Sequence, residues 1–203
     1  MHSLRYLALG DSYTIGESVE EHERFPEQTV ALLRAKGLDV QDPLIIAKTG
    51  WTTGELADAI RKRDPNGPFD LVSLLIGVND QYRGMPVEGY VNSFQERLEA
   101  AITFAGGRAE RVFVLSIPDW GVTPFAEGRD RYRIAKDIDA FNAVNRSASM
   151  NSGAHYLDIT PLTRNANTDR TLVANDGLHP SGKAYGQWAA LLAEMMTREL
   201  RVN

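Results

Sequence analysis

The chain has 203 residues, 43% of them hydrophobic and 24% charged, with a formal net charge of −5 and no cysteine. At roughly 150 residues per domain, the expectation is one domain spanning residues 1–203, large enough to bury its core without crosslinks. The missing cysteines exclude a disulfide framework, a thiolate zinc site and a cysteine nucleophile, and the acidic balance lacks the basic footprint of a nucleic-acid binder.

The opening Met1-His2-Ser3-Leu4-Arg5-Tyr6 has no long apolar run of the secretory type, so cytoplasmic residence is expected. No stretch reaches the roughly 18 apolar residues of a membrane span. The first short apolar run is Tyr6-Leu7-Ala8-Leu9. A helix follows from Phe25 to Lys36, opened by Pro26 and stopped at Gly37. Leu44-Ile45-Ile46-Ala47 is the second run, Glu55 to Arg63 the second helix, and Leu71-Val72-Ser73-Leu74-Leu75-Ile76 the third run. Val87, Tyr90, Val91, Phe94, Leu98, Ala101, Ile102 and Ala105 then recur at helical spacing between Pro86 and Gly106-Gly107. Val112-Phe113-Val114-Leu115 is the fourth run, and Ile134, Ile138, Phe141 and Ala148 mark another helix. His155-Tyr156-Leu157-Asp158-Ile159 is the fifth run, before a last helix carrying Ala184, Tyr185, Trp188, Leu191, Leu192 and Met195.

Near-continuous apolar strands belong to a parallel sheet covered on both faces. Strands alternating with helices imply right-handed crossovers and a three-layer α/β/α sandwich. In such sheets the loops after the carboxyl ends of the strands build the site. Those ends are unusual here. Strand one runs into Gly10-Asp11-Ser12-Tyr13-Thr14, strand two into Lys48-Thr49-Gly50-Trp51, and strand three into Gly77-Val78-Asn79-Asp80. Beyond strand five stands Asp176-Gly177-Leu178-His179-Pro180.

Acyl transfer needs a nucleophile, a base, a group orienting the base, and donors for an oxyanion. Ser12 sits on a tight turn after a strand, His179 can take its proton, and Asp176 is close enough in sequence to reach the other imidazole nitrogen. The donors would be the backbone N–H groups of Ser12 and Gly50 and the Asn79 side-chain amide. Asp158 and Asp169 compete with Asp176 for the orienting role, but its short offset from His179 favours Asp176. Asp11, beside the nucleophile, suits loop N–H groups better than chemistry, and Asp80 is read in the same way.

Taken together, the Gly10-Asp11-Ser12, Gly50, Gly77-Val78-Asn79-Asp80 and Asp176-Gly177-Leu178-His179-Pro180 blocks resemble the four signature blocks of the SGNH (GDSL-type) hydrolases. The resemblance implies a flavodoxin-like five-stranded sheet of order 2-1-3-4-5 and ester or thioester hydrolysis with no metal and no cofactor. It also implies Ser12 as nucleophile, Gly50 and Asn79 as oxyanion donors, and Asp176 and His179 completing the triad. Tyr13 stands where the family name has leucine.

The expected partner is a small-molecule ester, neither nucleic acid nor membrane. An acyltransferase could use the same site, and a flavodoxin-like phosphate or cofactor module would fit the first glycine-hydroxyl turn. That module leaves the Asn79 and Asp176/His179 blocks unexplained, and the Gly-x-Ser-x-Gly elbow of α/β-hydrolases is absent. Trp51, Tyr82, Trp120 and Phe125 fall on loops at the same edge, where aromatics can wall an acyl pocket or simply pack the loops down. Trp51 and Trp120 are the stronger candidates for substrate contact. Trp188 belongs to a helical core stripe. The remaining histidines, His2, His22 and His155, lie at the terminus, in a charged run and at a strand start.

Overall fold

The computed structural model describes residues 3–202; Met1, His2 and Asn203 lie outside the described residues. In chain order the elements are β1 (Tyr6–Gly10), α1 (Ser12–Ile15), α2 (Phe25–Ala35), β2 (Leu44–Ala47), α3 (Thr53–Arg63), β3 (Leu71–Leu75), α4 (Val78–Tyr82), α5 (Val87–Phe104), β4 (Val112–Leu115), α6 (Arg131–Ser152), β5 (His155–Leu157), α7 (Thr160–Arg164) and α8 (Gly182–Val202). All five strands pair in parallel in the order β2-β1-β3-β4-β5. α2 packs with α8 on one face, and α5 packs with both α3 and α6 on the other, completing the three layers expected of the α/β sequence pattern.

Burial explains the apolar runs. Leu7, Leu9, Val72, Leu74, Val112 and Val114 are fully buried between the helical layers, where no polar face is needed. The helical stripes are narrower than their sequence spacing suggests. In α5, Tyr90, Phe94, Leu98 and Ala101 are buried while Val91 is exposed, and in α8 Leu191 is exposed. The 3.6-residue period brings Tyr185, Trp188, Ala189, Leu192, Ala193 and Met196 to the α8 core face instead. Phe25, Tyr185 and Trp188 join α2 and α8 through ring contacts of 5.1–6.3 Å. Trp188 is a core residue, as its stripe predicts.

Strand five ends two residues earlier than its apolar run. Asp158 turns the chain there, accepting from the Ser116 hydroxyl at 3.1 Å and the Thr160 N–H at 3.2 Å. The second helix starts two residues early because Thr52 and Glu55 form a reciprocal cap. The long irregular stretches after strands four and five contain short 3₁₀ turns at Trp120–Val122, Pro124–Ala126, Asn165–Asn167 and Arg170–Leu172. Among the described residues no helix is long and apolar enough to cross a membrane.

Gly77 links β3 to α4 at φ 122°, outside the range of ordinary side chains. A Cβ there would lie 2.2 Å from Tyr90 Oη and 2.9 Å from Ile117 Cδ1. The Tyr90 hydroxyl is held by the Ile76 carbonyl at 3.1 Å and by Asn145 Oδ1 at 2.8 Å, so it cannot yield without losing buried hydrogen bonds. Strain and overpacking together make Gly77→Ala destabilising by about 2–5 kcal/mol. Denaturant unfolding of the variant checks this, and near-native stability would show that the turn tolerates a side chain.

Candidate active site

Ser12 opens α1 directly after β1 and is almost fully buried. Asp11 caps this short helix, its Oδ1 accepting from the Tyr13 N–H at 3.0 Å. As a first-turn residue, Ser12 has no intrahelical acceptor for its own N–H. Across the sheet edge, His179 Nδ1 lies 2.6 Å from Asp176 Oδ2. Asp176 Oδ1 accepts from the Leu178 and His179 N–H groups at 2.9 and 3.0 Å, which folds the block into a closed turn. Asp158 and Asp169 are engaged elsewhere, Asp158 with Ser116 and Thr160, Asp169 with Thr171 and Lys183.

Ser12 and His179 share the wall of a cavity of about 130 Å³ with Tyr13, Val78, Asn79, Tyr82, Trp120, Phe125 and Leu178. Trp120, one of the two tryptophans expected at the substrate, therefore faces this space, its indole N–H donating to Gln81 Oε1 at 2.9 Å. Trp51 does not line the cavity; it is half-buried and packs against the main core. Gly50, also outside the lining, adopts φ 85°. Its segment is fastened twice: the Gly50 carbonyl accepts from Arg83 Nη2 at 2.6 Å, and the Trp51 carbonyl from Asn79 Nδ2 at 2.9 Å. That bond uses one of the two N–H donors of the Asn79 amide. Asp80 ties the same loop to α3, accepting from the Thr53 hydroxyl at 2.7 Å and the Thr53 N–H at 3.0 Å.

Ser18 and the packing of Tyr13 on His179 carry no local sequence signal. Ser18, at φ 66°, donates its hydroxyl to Asp176 Oδ2 at 2.9 Å. The buried Tyr13 ring meets the His179 imidazole edge-on at 5.4 Å and Trp188 at 6.4 Å, so the imidazole packs against an aromatic ring of the core. The leucine-to-tyrosine departure therefore supplies a rigid aromatic support for His179. Tyr82, Trp120 and Phe125 form a mutual ring cluster with centroids 5.4–6.1 Å apart.

The carboxylates divide electrostatically. Burial alone would push the Asp176 carboxyl up, but the bonds from the His179 ring, the Leu178 and His179 N–H groups and Ser18 bring it down to about 2. An ionised Asp176 is acceptor-only, so the ring Nδ1–H of His179 is the donor of their shared bond. Burial drives Asp11 the other way, to about 8, against the Tyr13 N–H and reinforced by nearby Asp80. Asp80 is also raised by burial, against its hydrogen bonds from Thr53. Among the described residues no cluster of three or more His, Asp or Glu side chains could hold a metal ion.

A parallel 2-1-3-4-5 sheet with these residues at its carboxyl edge defines the SGNH class of hydrolase fold. Residues 8–199 match the model of the GDSL-like Lipase/Acylhydrolase family. The chain belongs to this family and is a hydrolase acting on ester bonds. Among solved structures it is similar to TesA, at 17% identity over 96% of this chain and 99% of that one, with a TM-score of 0.73. The lipase/acylhydrolase from Enterococcus faecalis is 23% identical over 96% and 97% of the two chains, with a TM-score of 0.70. Axe2, an acetylxylan esterase from Geobacillus stearothermophilus, is 18% identical over 97% and 93%, also with a TM-score of 0.70. At these identities the likeness is one of fold. No curated protein sequence matches the chain.

The raised Asp11 has a consequence for stability. Its folded value of about 8 exceeds the unfolded carboxyl value of about 3.9, so the folded chain holds a proton that the unfolded chain releases. Its stabilising contribution is full below about pH 4 and is lost as pH rises through about 8. Asp11→Asn keeps an N-capping acceptor but cannot ionise. Thermal unfolding from acid to mildly alkaline pH should show a decline in Tm in the native chain that is flatter in Asp11→Asn. Superimposable curves would mean that Asp11 does not titrate in this window.

Proposed function

We propose that the chain is a serine esterase in which Ser12, His179 and Asp176 act as a triad on short-acyl carboxylic esters. The observation that carries this reading is the 2.6 Å His179–Asp176 bond on a base that shares one cavity wall with Ser12. With its Nδ1 proton held by Asp176, His179 offers Nε2 to the Ser12 hydroxyl as the oxygen attacks the substrate carbonyl. The N–H groups of Ser12 and Gly50 and the second amide N–H of Asn79 take the charge that gathers on the carbonyl oxygen. Collapse expels the alcohol, protonated by His179, and leaves an acyl group on Ser12. A water deprotonated by the same Nε2 then releases the acid and regenerates Ser12.

Three substitutions test these roles on an activated acetate ester. Ser12→Ala should retain the fold and lose on the order of 10⁴–10⁶ in kcat. Asp176→Asn, which favours the wrong tautomer, should lose on the order of 10⁴. Asn79→Ala should lose on the order of 10²–10³ in kcat with KM little changed. Covalent labelling by an organophosphonate at a serine other than Ser12, with Ser12→Ala still active, would overturn the assignment.

Cavity size supports the acyl preference. Its roughly 130 Å³ is close to the cavity of about 150 Å³ that holds one benzene. An acetyl or butyryl group fits such a space, and acetylated sugars, the substrate class named for Axe2, present that acyl group. Each methylene left unburied forfeits up to about 0.8 kcal/mol of transition-state binding. A kcat/KM series with one leaving group should therefore peak at acetyl to butyryl and fall with length. Phe125→Ala, on the half-open wall, should extend the accepted length, whereas Trp51→Ala, outside the lining, should not. A maximum at decanoyl or longer would refute the short-acyl reading.

A further inference from the structure

Arg129 lies on the loop between β4 and α6 and is exposed. Its guanidinium carbon lies 5.0 Å from the Phe125 ring centroid and 5.5 Å from those of Tyr82 and Trp120. With Tyr13, these three aromatic residues wall the cavity that holds Ser12 and His179. Tyr82 and Phe125 are 46% and 39% exposed, so the guanidinium stands where the wall meets solvent. Stacking satisfies the face of a guanidinium but leaves its N–H edge free to bind. Among the described residues, the one hydrogen bond recorded for that edge is a long 3.4 Å contact to Tyr82 Oη. Arg34, Arg83, Arg97 and Arg164 each meet a carboxylate, whereas Arg129, like Arg108, Arg131 and Arg170, has no carboxylate partner among the described residues. Asp130, the next residue, is turned into the α6 cap by the Arg133 N–H at 3.0 Å.

A guanidinium with no carboxylate partner among the described residues, braced by three rings at the mouth of the small cavity, suits an anionic group on the part of the substrate that stays outside. We propose that Arg129 is a specificity-determining residue that selects esters whose alcohol portion carries a carboxylate or another planar oxyanion. This rests on the cavity being the ester site. A carboxylate fits the guanidinium edge through two parallel N–H···O bonds, and the rings offer a flat surface for the body of the alcohol. A cationic alcohol would have to displace Arg129 from the same rings.

Three acetates with similar phenolic leaving groups test this: para-acetoxybenzoate, para-acetoxybenzamide and para-acetoxyphenyl trimethylammonium. The ratio of kcat/KM for the benzoate over the benzamide should be about tenfold higher in the native chain than in Arg129→Gln at low salt. The gap should narrow as ionic strength rises, and Arg129→Lys should restore much of it if charge rather than packing is responsible. Equal ratios in the native chain and Arg129→Gln, or a preference for the trimethylammonium ester over the benzoate that is larger in the native chain than in Arg129→Gln, would overturn the proposal. Titration calorimetry with para-hydroxybenzoate and para-hydroxybenzamide gives a readout independent of turnover. If no ester is hydrolysed but the benzoate binds in an Arg129-dependent way, the esterase reading fails and the anion site stands. If the acetates are hydrolysed with no Arg129 effect on selectivity or binding, the reverse holds.

Discussion

Parallel pairing of β1 with both of its neighbours, in one register, is the constraint from which the site follows. Gly10 lies opposite Ala47 of β2 and Leu75 of β3, so the three chains leave the sheet side by side. Ser12, Gly50 and Asn79 follow those ends after only a few residues, which leaves little freedom in where their backbones can go. The pairing depends on Gly10 having no side chain. A Cβ there would lie 2.1 Å from Thr14 Oγ1 and 2.5 Å from the Leu75 carbonyl oxygen. The chain can turn from β1 into α1 against β3 only with glycine at that point.

Satisfying polar groups is the second demand on a site cut into a buried edge. The three carboxylates nearest the proposed chemistry meet it differently. Asp80 receives two bonds from Thr53 and fastens α3. Asp176 receives bonds from both ring and backbone of its own turn and from Ser18, which together outweigh its partial burial. Asp11 receives the Tyr13 N–H on one oxygen, while its Oδ2 is buried with no partner. The outcome is a carboxylate held toward its ionised form beside the imidazole and one pushed by burial toward its protonated form beside the serine. In the proposed mechanism, that separation keeps a second negative charge away from the carbonyl oxygen that must itself become negative.

The apolar strands were legible because full burial on both faces leaves a continuous hydrophobic run, and the motif blocks were legible because three follow strand ends directly and the fourth precedes the last helix. Boundaries were less so: the Thr52–Glu55 cap moved one helix start, and Asp158 ended β5 early. The short helices α1, α4 and α7 span less than two turns and carry no hydrophobic period to detect. The contacts that finish the site join residues far apart in the chain, as Ser18 with Asp176 and Arg83 with Gly50. No local pattern records such pairs. The two tryptophans of the edge loops looked alike in sequence. Only the fold separates Trp120, which is drawn over the cavity by its bond to Gln81, from Trp51, which turns back onto the core.

The division of labour between loops also limits how they can vary. The aromatic wall comes chiefly from residues 120–125, and the Asp176–His179 turn from a loop some fifty residues later. They are not independent, because the Phe125 N–H donates to the Gly177 carbonyl at 2.9 Å and Pro124 lies 3.4 Å from where a Gly177 Cβ would stand. The wall therefore helps hold the turn that presents His179. Changing the bulk of Phe125 while its backbone bond survives alters the shape of the cavity. Moving the 3₁₀ turn that carries it would loosen the support of the proposed base, and a displacement of about 1 Å can cost on the order of 10² in rate. New specificity is thus more accessible through side chains at Tyr82, Phe125 and Arg129 than through insertions in the loop that bears them.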